Sequence, residues 1–179
     1  TLYFQPSKEN IGDLAAASFM IKREGVGAMT QYFRGSSGVV TMITWNSDGR
    51  FNIKHRTADG SVAETLTKPF TGTIRQTVLS DSVSGRFSVW MNGECVAREL
   101  YPYSIGCTGL LSYNADIGGT NFFKFYFSDV RAFKAQPTDW MRPGYDAEWL
   151  TEDMIRGIYP APAAGKLNAD LNLITEGRY

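Results

Sequence analysis

Histidine and cysteine are almost missing from this chain, which removes whole classes of chemistry. His55 is the one histidine, Cys95 and Cys107 are the only cysteines, and there is no CxxC pair. A structural zinc site therefore has no ligand set. Two cysteines are also too few for a disulfide framework. Their spacing allows either a bridge between neighbouring strands in an oxidising compartment or two buried thiols, and both readings stand. Charge of either sign is not in excess, with 18 Lys and Arg against 18 Asp and Glu. Duplex nucleic acid is excluded as an expected partner, because such binding needs a basic footprint to release counterions. Nothing draws the chain to an anionic membrane surface either. No apolar run reaches the length of a membrane span, and the opening residues do not read as a signal peptide. A neutral chain of this kind needs a partner recognised by shape, stacking and hydrogen bonds.

What is present is an ordinary globular composition: 43% hydrophobic and 20% charged over 179 residues. That length suits one domain. The opening TLYFQPS contains LYFQ, which resembles the core of a viral-protease tag site, with Pro6 out of pattern. It reads equally well as a first strand.

Short strands with turn chemistry dominate from residue 39 onward. VVTMITW (39–45), RFNIKHR (50–56), SVAETL (61–66), TGTIRQTVL (71–79), RFSVWMN (86–92) and ECVAREL (94–100) follow one another at close spacing. Asp48-Gly49, Asp59-Gly60 and Asn92-Gly93 mark tight turns between them, since such turns demand positive φ. CTGLLSY (107–113) and NFFKFYFSDVRAF (121–133) extend the series. Strands recurring about every ten residues with no helix between them predict an antiparallel sandwich or barrel. A helix is predicted only at LTEDMIRGIY (150–159), with Thr151 as cap, Glu152 and Asp153 in the first turn, and Pro160 as stop. LAAAS (14–18) has helix-favouring alanines but is too short to assign.

Two stretches carry a resemblance. TIRQTVLSDSVSGRFSVWMNGECVA (73–97) is similar to part of the concanavalin A-like, laminin-G-like sandwich: a strand, a short polar loop, then a strand ending in an Asn-Gly turn. TGLLSYNADIGGTNFFKFYFSDVRAF (108–133) resembles that family's return strand, glycine-rich loop and closing strand ending in Asp-Val-Arg. KAQPTDWMRPGYDAEW (134–149) would be an insertion, and LTEDMIRGIY resembles the short helix that often follows. The resemblance implies an all-β, two-sheet antiparallel jelly-roll sandwich with a short C-terminal helix. Residues 1–133 would form the core, and 134–179 would hold an insertion, the helix and a tail packing on the same domain. It also implies glycan binding on a concave sheet or at loop ends, although glycosidases, lyases, adhesins and virion proteins use the same scaffold.

Trp90 is the leading candidate ligand residue. In GRFSVWMNGECVA (85–97), Phe87, Val89 and Met91 alternate toward a core, which leaves Trp90 on the polar side of its strand. If the strands at 50–56, 73–79 and 86–92 share a sheet, Trp90 stands among Asn52, Lys54, Arg56 and Arg75. An aromatic plate beside planar donors suits a sugar, whose C–H face stacks while its hydroxyls pair. The competing reading has Trp90 covered by the 134–149 segment, whose Trp140 and Trp149 need a surface. In NFFKFYFS, Phe122, Lys124 and Tyr126 take the phase opposite to Phe123, Phe125 and Phe127, and aromatics on both phases predict cover on both sides.

The other sites weigh less. Asn114, Asp116 and Asn121 offer oxygen ligands that calcium could use, but with one carboxylate the glycine-rich turn is the plainer account. No cofactor is expected. His55, with Tyr126 or Tyr32 as acid, could serve a polysaccharide lyase, yet no Gln-x-His or arginine-rich strand accompanies it. Glu64, Glu94, Glu99 and Asp129 are scattered and form no Glu-x-Asp-x-Glu string for glycoside hydrolysis. No nucleotide-binding or nucleophile-elbow motif is present. The expected function is a non-catalytic, lectin-like module recognising a glycan or polysaccharide, as in a phage tail or bacterial surface protein. Its setting would be extracellular or on a virion surface, alone or in a homo-oligomer or larger assembly. A structural domain of a virion or adhesin is the alternative, and a lyase the third.

Overall fold

The computed structural model describes residues 2–4, 14–110, 112–118 and 124–134. The described strands are β1 (Leu2–Phe4), β2 (Leu14–Glu24), β3 (Ala28–Gly35), β4 (Gly38–Trp45), β5 (Arg50–Arg56), β6 (Val62–Pro69), β7 (Thr73–Asp81), β8 (Arg86–Met91), β9 (Glu94–Leu100), β10 (Ser112–Gly118) and β11 (Lys124–Lys134). They form a six-stranded sheet A, in the order β1-β10-β3-β4-β5-β6, and a five-stranded sheet B, in the order β11-β2-β7-β8-β9. Every pairing is antiparallel. The architecture is the two-sheet antiparallel jelly-roll sandwich. The expected helix and all of the expected 134–149 insertion after Lys134 lie outside the described residues.

Period-two alternation explains both sheets. Phe51 and Ile53 of β5, Ile74 and Val78 of β7, and Phe87, Val89 and Met91 of β8 all enter one core. Phe19, Phe33, Trp45, Phe51 and Phe87 are large, fully enclosed rings of this core. LAAAS, with its helix-favouring alanines, is the start of β2. There Ala17, Phe19 and Ile21 face inward at every second position, so alternation and burial override an intrinsic preference worth tenths of a kcal/mol per residue. Leu2–Phe4 pairs with β10 as the edge of sheet A, the first-strand reading of the opening residues.

The turns follow their chemistry. Asn92 and Gly93 both take positive φ, 52° and 82°, as a two-residue hairpin of this hand requires. Between β6 and β7 the chain leaves sheet A for sheet B. Gly72 turns it with φ of 77°, and Phe70 is buried against Phe51, ring centroids 5.9 Å apart. This crossing corrects the expectation that 50–56, 73–79 and 86–92 share a sheet. β5 belongs to sheet A, while β7 and β8 belong to sheet B.

Candidate functional site

The outer face of sheet A presents two rows of side chains. Strand register aligns Asn114, Tyr32, Met42, Lys54 and Glu64 across β10, β3, β4, β5 and β6. The adjacent row is Asp116, Thr30, Thr44, Asn52 and Leu66. Strands lie about 4.8 Å apart, so each row spans roughly 19 Å. These positions face outward because their neighbours in sequence are core residues: Gln31 and Phe33 flank Tyr32, and Phe51 and Ile53 flank Asn52.

Glu64 is the organised group of this face. Asn52 Nδ2 donates to Glu64 Oε2 at 2.7 Å, and Lys54 Nζ lies 3.3 Å from Glu64 Oε1. The Asn52 hydrogen bond, then that of Lys54 with its positive charge, hold the Glu64 carboxyl below its ordinary pKa. The Asp59-Gly60 turn sets this register. Ser61 N donates to Asp59 Oδ1 at 3.0 Å, and the turn delivers Val62 opposite Arg56 and Glu64 opposite Lys54. Apolar surface borders the polar group, with Val62 and Leu66 exposed at 54% and 53%. Thr30 and Thr44 share a hydroxyl hydrogen bond of 3.1 Å. Arg34 Nε donates to Asn114 Oδ1 at 3.1 Å, and its guanidinium carbon lies 5.6 Å from the Tyr32 ring centroid.

The residues expected to surround Trp90 are divided between opposite faces. Asn52, Lys54 and Arg56 belong to the outer face of sheet A, and Trp90 and Arg75 to the outer face of sheet B. Trp90 is only 5% exposed. Its cross-strand neighbour Thr77 and, beyond it, Ser18 are buried too, as are Ala16, Leu79 and Ser88 one row away. The indole is therefore closed to solvent, and its Nε1 has no hydrogen-bond partner among the described residues. Arg75 is ion-paired with Asp129 and reaches Ser18 Oγ at 3.3 Å. Arg56 serves the fold: its Nε donates to the Tyr103 carbonyl at 2.7 Å, and its Nη1 to the Gly60 carbonyl.

The remaining candidates resolve in the same way. His55 faces inward, its Nδ1 2.9 Å from the Arg56 carbonyl and its Nε2 3.1 Å from Thr65 Oγ1. Asn114 and Asp116 lie on β10 rather than in a loop, and Asn121 and Phe122 fall outside the described residues. Cys95 and Cys107 are unbridged thiols. Tyr126 corrects the expectation of a strand covered on both sides. Phe125 and Phe127 pack on the core, but Tyr126 is 45% exposed and its hydroxyl donates to Glu24 Oε2 at 3.0 Å.

Sequence reasoning missed Met42, Glu64 and Leu66 as a group and considered Tyr32 only as an acid. Each alternates with inward residues, a signal present in TQYFR and VAETL. That alternation identifies outward residues but not which strands are neighbours, so the cluster needed the sheet order.

No family model and no curated protein matches the chain. Among solved structures, a tetrameric galectin from Cinachyrella sp. (ball sponge) superposes with a TM-score of 0.52 at 12% identity, over 74% of this chain and 98% of the galectin. The binding domain of botulinum neurotoxin DC, solved in complex with rat synaptotagmin II, superposes with a TM-score of 0.53 at 10% identity. That match covers 87% of this chain and 38% of the toxin domain's chain. The fold is the concanavalin A-like jelly roll. At these identities the likeness is one of fold.

Proposed function

We propose that the protein is a carbohydrate-binding module whose ligand lies on the outer face of sheet A, across β3 to β6. The observation that carries this is the Asn52–Glu64–Lys54 cluster set among exposed apolar side chains. A sugar needs acceptors and donors at fixed spacing for its hydroxyls and an apolar surface for its C–H face. Glu64 accepts from hydroxyl groups, Lys54 and Asn52 donate, and Leu66, Val62, Met42 and Tyr32 supply the apolar surface. Charge-assisted hydrogen bonds to a fixed carboxylate are about twice as strong as neutral ones, which suits a small polar ligand. That a galectin shares the fold supports the reading at the level of scaffold. The setting that goes with it is a cell or virion surface, where glycans are displayed.

The test is a broad glycan array probed with the wild type, Glu64→Ala and Trp90→Phe. The reading expects binding by the wild type, loss in Glu64→Ala, and retention in Trp90→Phe. A folded Glu64→Ala that binds as the wild type does, or a wild type that binds nothing, refutes it.

A further inference from the structure

Among the cations on the outer face of sheet A, Arg50 pairs with Asp48 at 3.8 Å, and Lys54 and Arg56 are also engaged within the fold. Lys54 faces Glu64 at 3.3 Å. Arg56 is spent on the carbonyls of Tyr103 and Gly60. Arg34 differs from all three. Its Cα lies opposite Ser112 and Val39, one step beyond the row of Asn114, Tyr32 and Met42. Yet its Nε bonds Asn114 at 3.1 Å and its guanidinium lies 5.6 Å from the Tyr32 ring centroid. The side chain is thus drawn back over that row instead of running free along the strand. A cation held on one edge by a hydrogen bond and on one face by an aromatic ring has lost most of its rotamer freedom before any ligand arrives. Its two terminal nitrogens have no partner among the described residues.

The surroundings favour an anion there. Of the carboxylates on this face, Glu64 is three strands from Tyr32, accepts from Asn52 and has its charge compensated by Lys54. Asp116 occupies the neighbouring row. A guanidinium fork with both terminal nitrogens available matches the two oxygens of a carboxylate, or two of a sulfate, in a bidentate pair.

We propose that Arg34 is the anion subsite of this face and that the ligand is an acidic glycan, one carrying a carboxylate or sulfate group. The inference rests on the glycan-binding reading above and deepens it. One sugar ring lies beside Leu66 with its hydroxyls on Glu64, Asn52 and Lys54. A further ring of the same glycan, over Met42, carries the acidic substituent to Arg34 beside Tyr32.

The test uses the full chain and matched oligosaccharide pairs, each neutral member set against a uronate-containing and a sulfated counterpart. The wild type should bind an acidic member about tenfold more tightly than its neutral partner, the scale of one charge-assisted pair. That preference should shrink at high ionic strength. Whether the uronate or the sulfate is preferred identifies the anion. Arg34→Gln should lose the preference and keep the neutral affinity, and Arg34→Lys should recover only part of it. Arg34 is exposed, so both variants are expected to fold, and circular dichroism checks this. Equal wild-type binding to neutral and acidic members overturns this inference and leaves the glycan reading intact. A preference that survives in Arg34→Gln also overturns it. Failure to bind any member overturns the glycan reading itself.

Discussion

Gln31 of β3 and Gln76 of β7 face each other across the interior of the sandwich, each amide donating to the other's oxygen at 3.1 and 3.0 Å. Both are fully buried, and the Tyr113 hydroxyl adds a third bond to Gln31 Oε1 at 3.3 Å. Burial pushes the Tyr113 hydroxyl's pKa far up, so it remains a neutral donor. This pair is a polar joint inside the largely apolar interior between the sheets. Gln76→Leu would leave the Gln31 amide unsatisfied and should cost about 1–3 kcal/mol in denaturant unfolding. Replacing both by Leu should recover part of that loss, limited by the Tyr113 hydroxyl, which then loses its acceptor. If the double variant is no more stable than the single one, the amide pair is not what sets the cost.

Gly35 closes the β3–β4 turn against the loop leading to β10. A Cβ there would sit 2.4 Å from the Thr108 carbonyl oxygen and 2.8 Å from Cys107 Sγ. Backbone cannot retreat as a side chain can, so Gly35→Ala should displace the 101–110 loop. The expected result is a loss of about 1–3 kcal/mol and a gain in reactivity of the buried Cys107 thiol, read by thiol labelling. A Cys107 as slow to label as in the wild type would count against this packing.

The legibility of the chain follows from how local each signal is. β5 and β9 match the sequence reading at 50–56 and 94–100, because alternation and Gly turns bound β5 on both sides and the Asn92-Gly93 turn marks the start of β9. β3 went unassigned: its inward phase reads Met29, Gln31, Phe33, and the buried glutamine interrupts the apolar pattern. The strand expected at 107–113 is mostly loop, with β10 beginning at Ser112, because Cys107 and Leu110 are buried from loop positions. At the candidate site, Asn52 and Lys54 were legible as outward residues. Glu64 as their partner was not, since the pairing of β5 with β6 and the departure of β7 to the other sheet are long-range facts. Trp90 misled for the same reason: its phase was right, but a residue facing away from the core is not thereby exposed.

Trp90 should behave as a buried side chain in solution. With 5% exposure, its fluorescence should resist iodide quenching in a variant retaining it as the sole tryptophan, with Phe at the other three positions. Its Nε1 has no partner among the described residues, so Trp90→Phe removes none of the hydrogen bonds described and should cost less than Trp90→Ala, for which about 3–5 kcal/mol is expected. Quenching at the rate of a free indole would restore Trp90 as a candidate platform.

The pH dependence of binding tests Glu64 directly. Its hydrogen bond from Asn52, and then the bond and charge of Lys54, lower the folded-state pKa. The ionised form thus persists to lower pH than for an ordinary glutamate, near 4.3. A depressed carboxyl contributes stability above its unfolded pKa, and that contribution is lost as pH falls through the folded value. Glu64 is exposed, so the effect on folding should be small. The effect on ligand should be large, because protonation both removes the acceptor charge and frees Lys54. Glycan affinity should therefore stay level from pH 7 to about 5 and fall only below the ordinary carboxylate range. Asn52→Ala removes the leading cause of the depression, so the fall should move to higher pH. An unchanged profile in that variant would show that Glu64 does not govern binding.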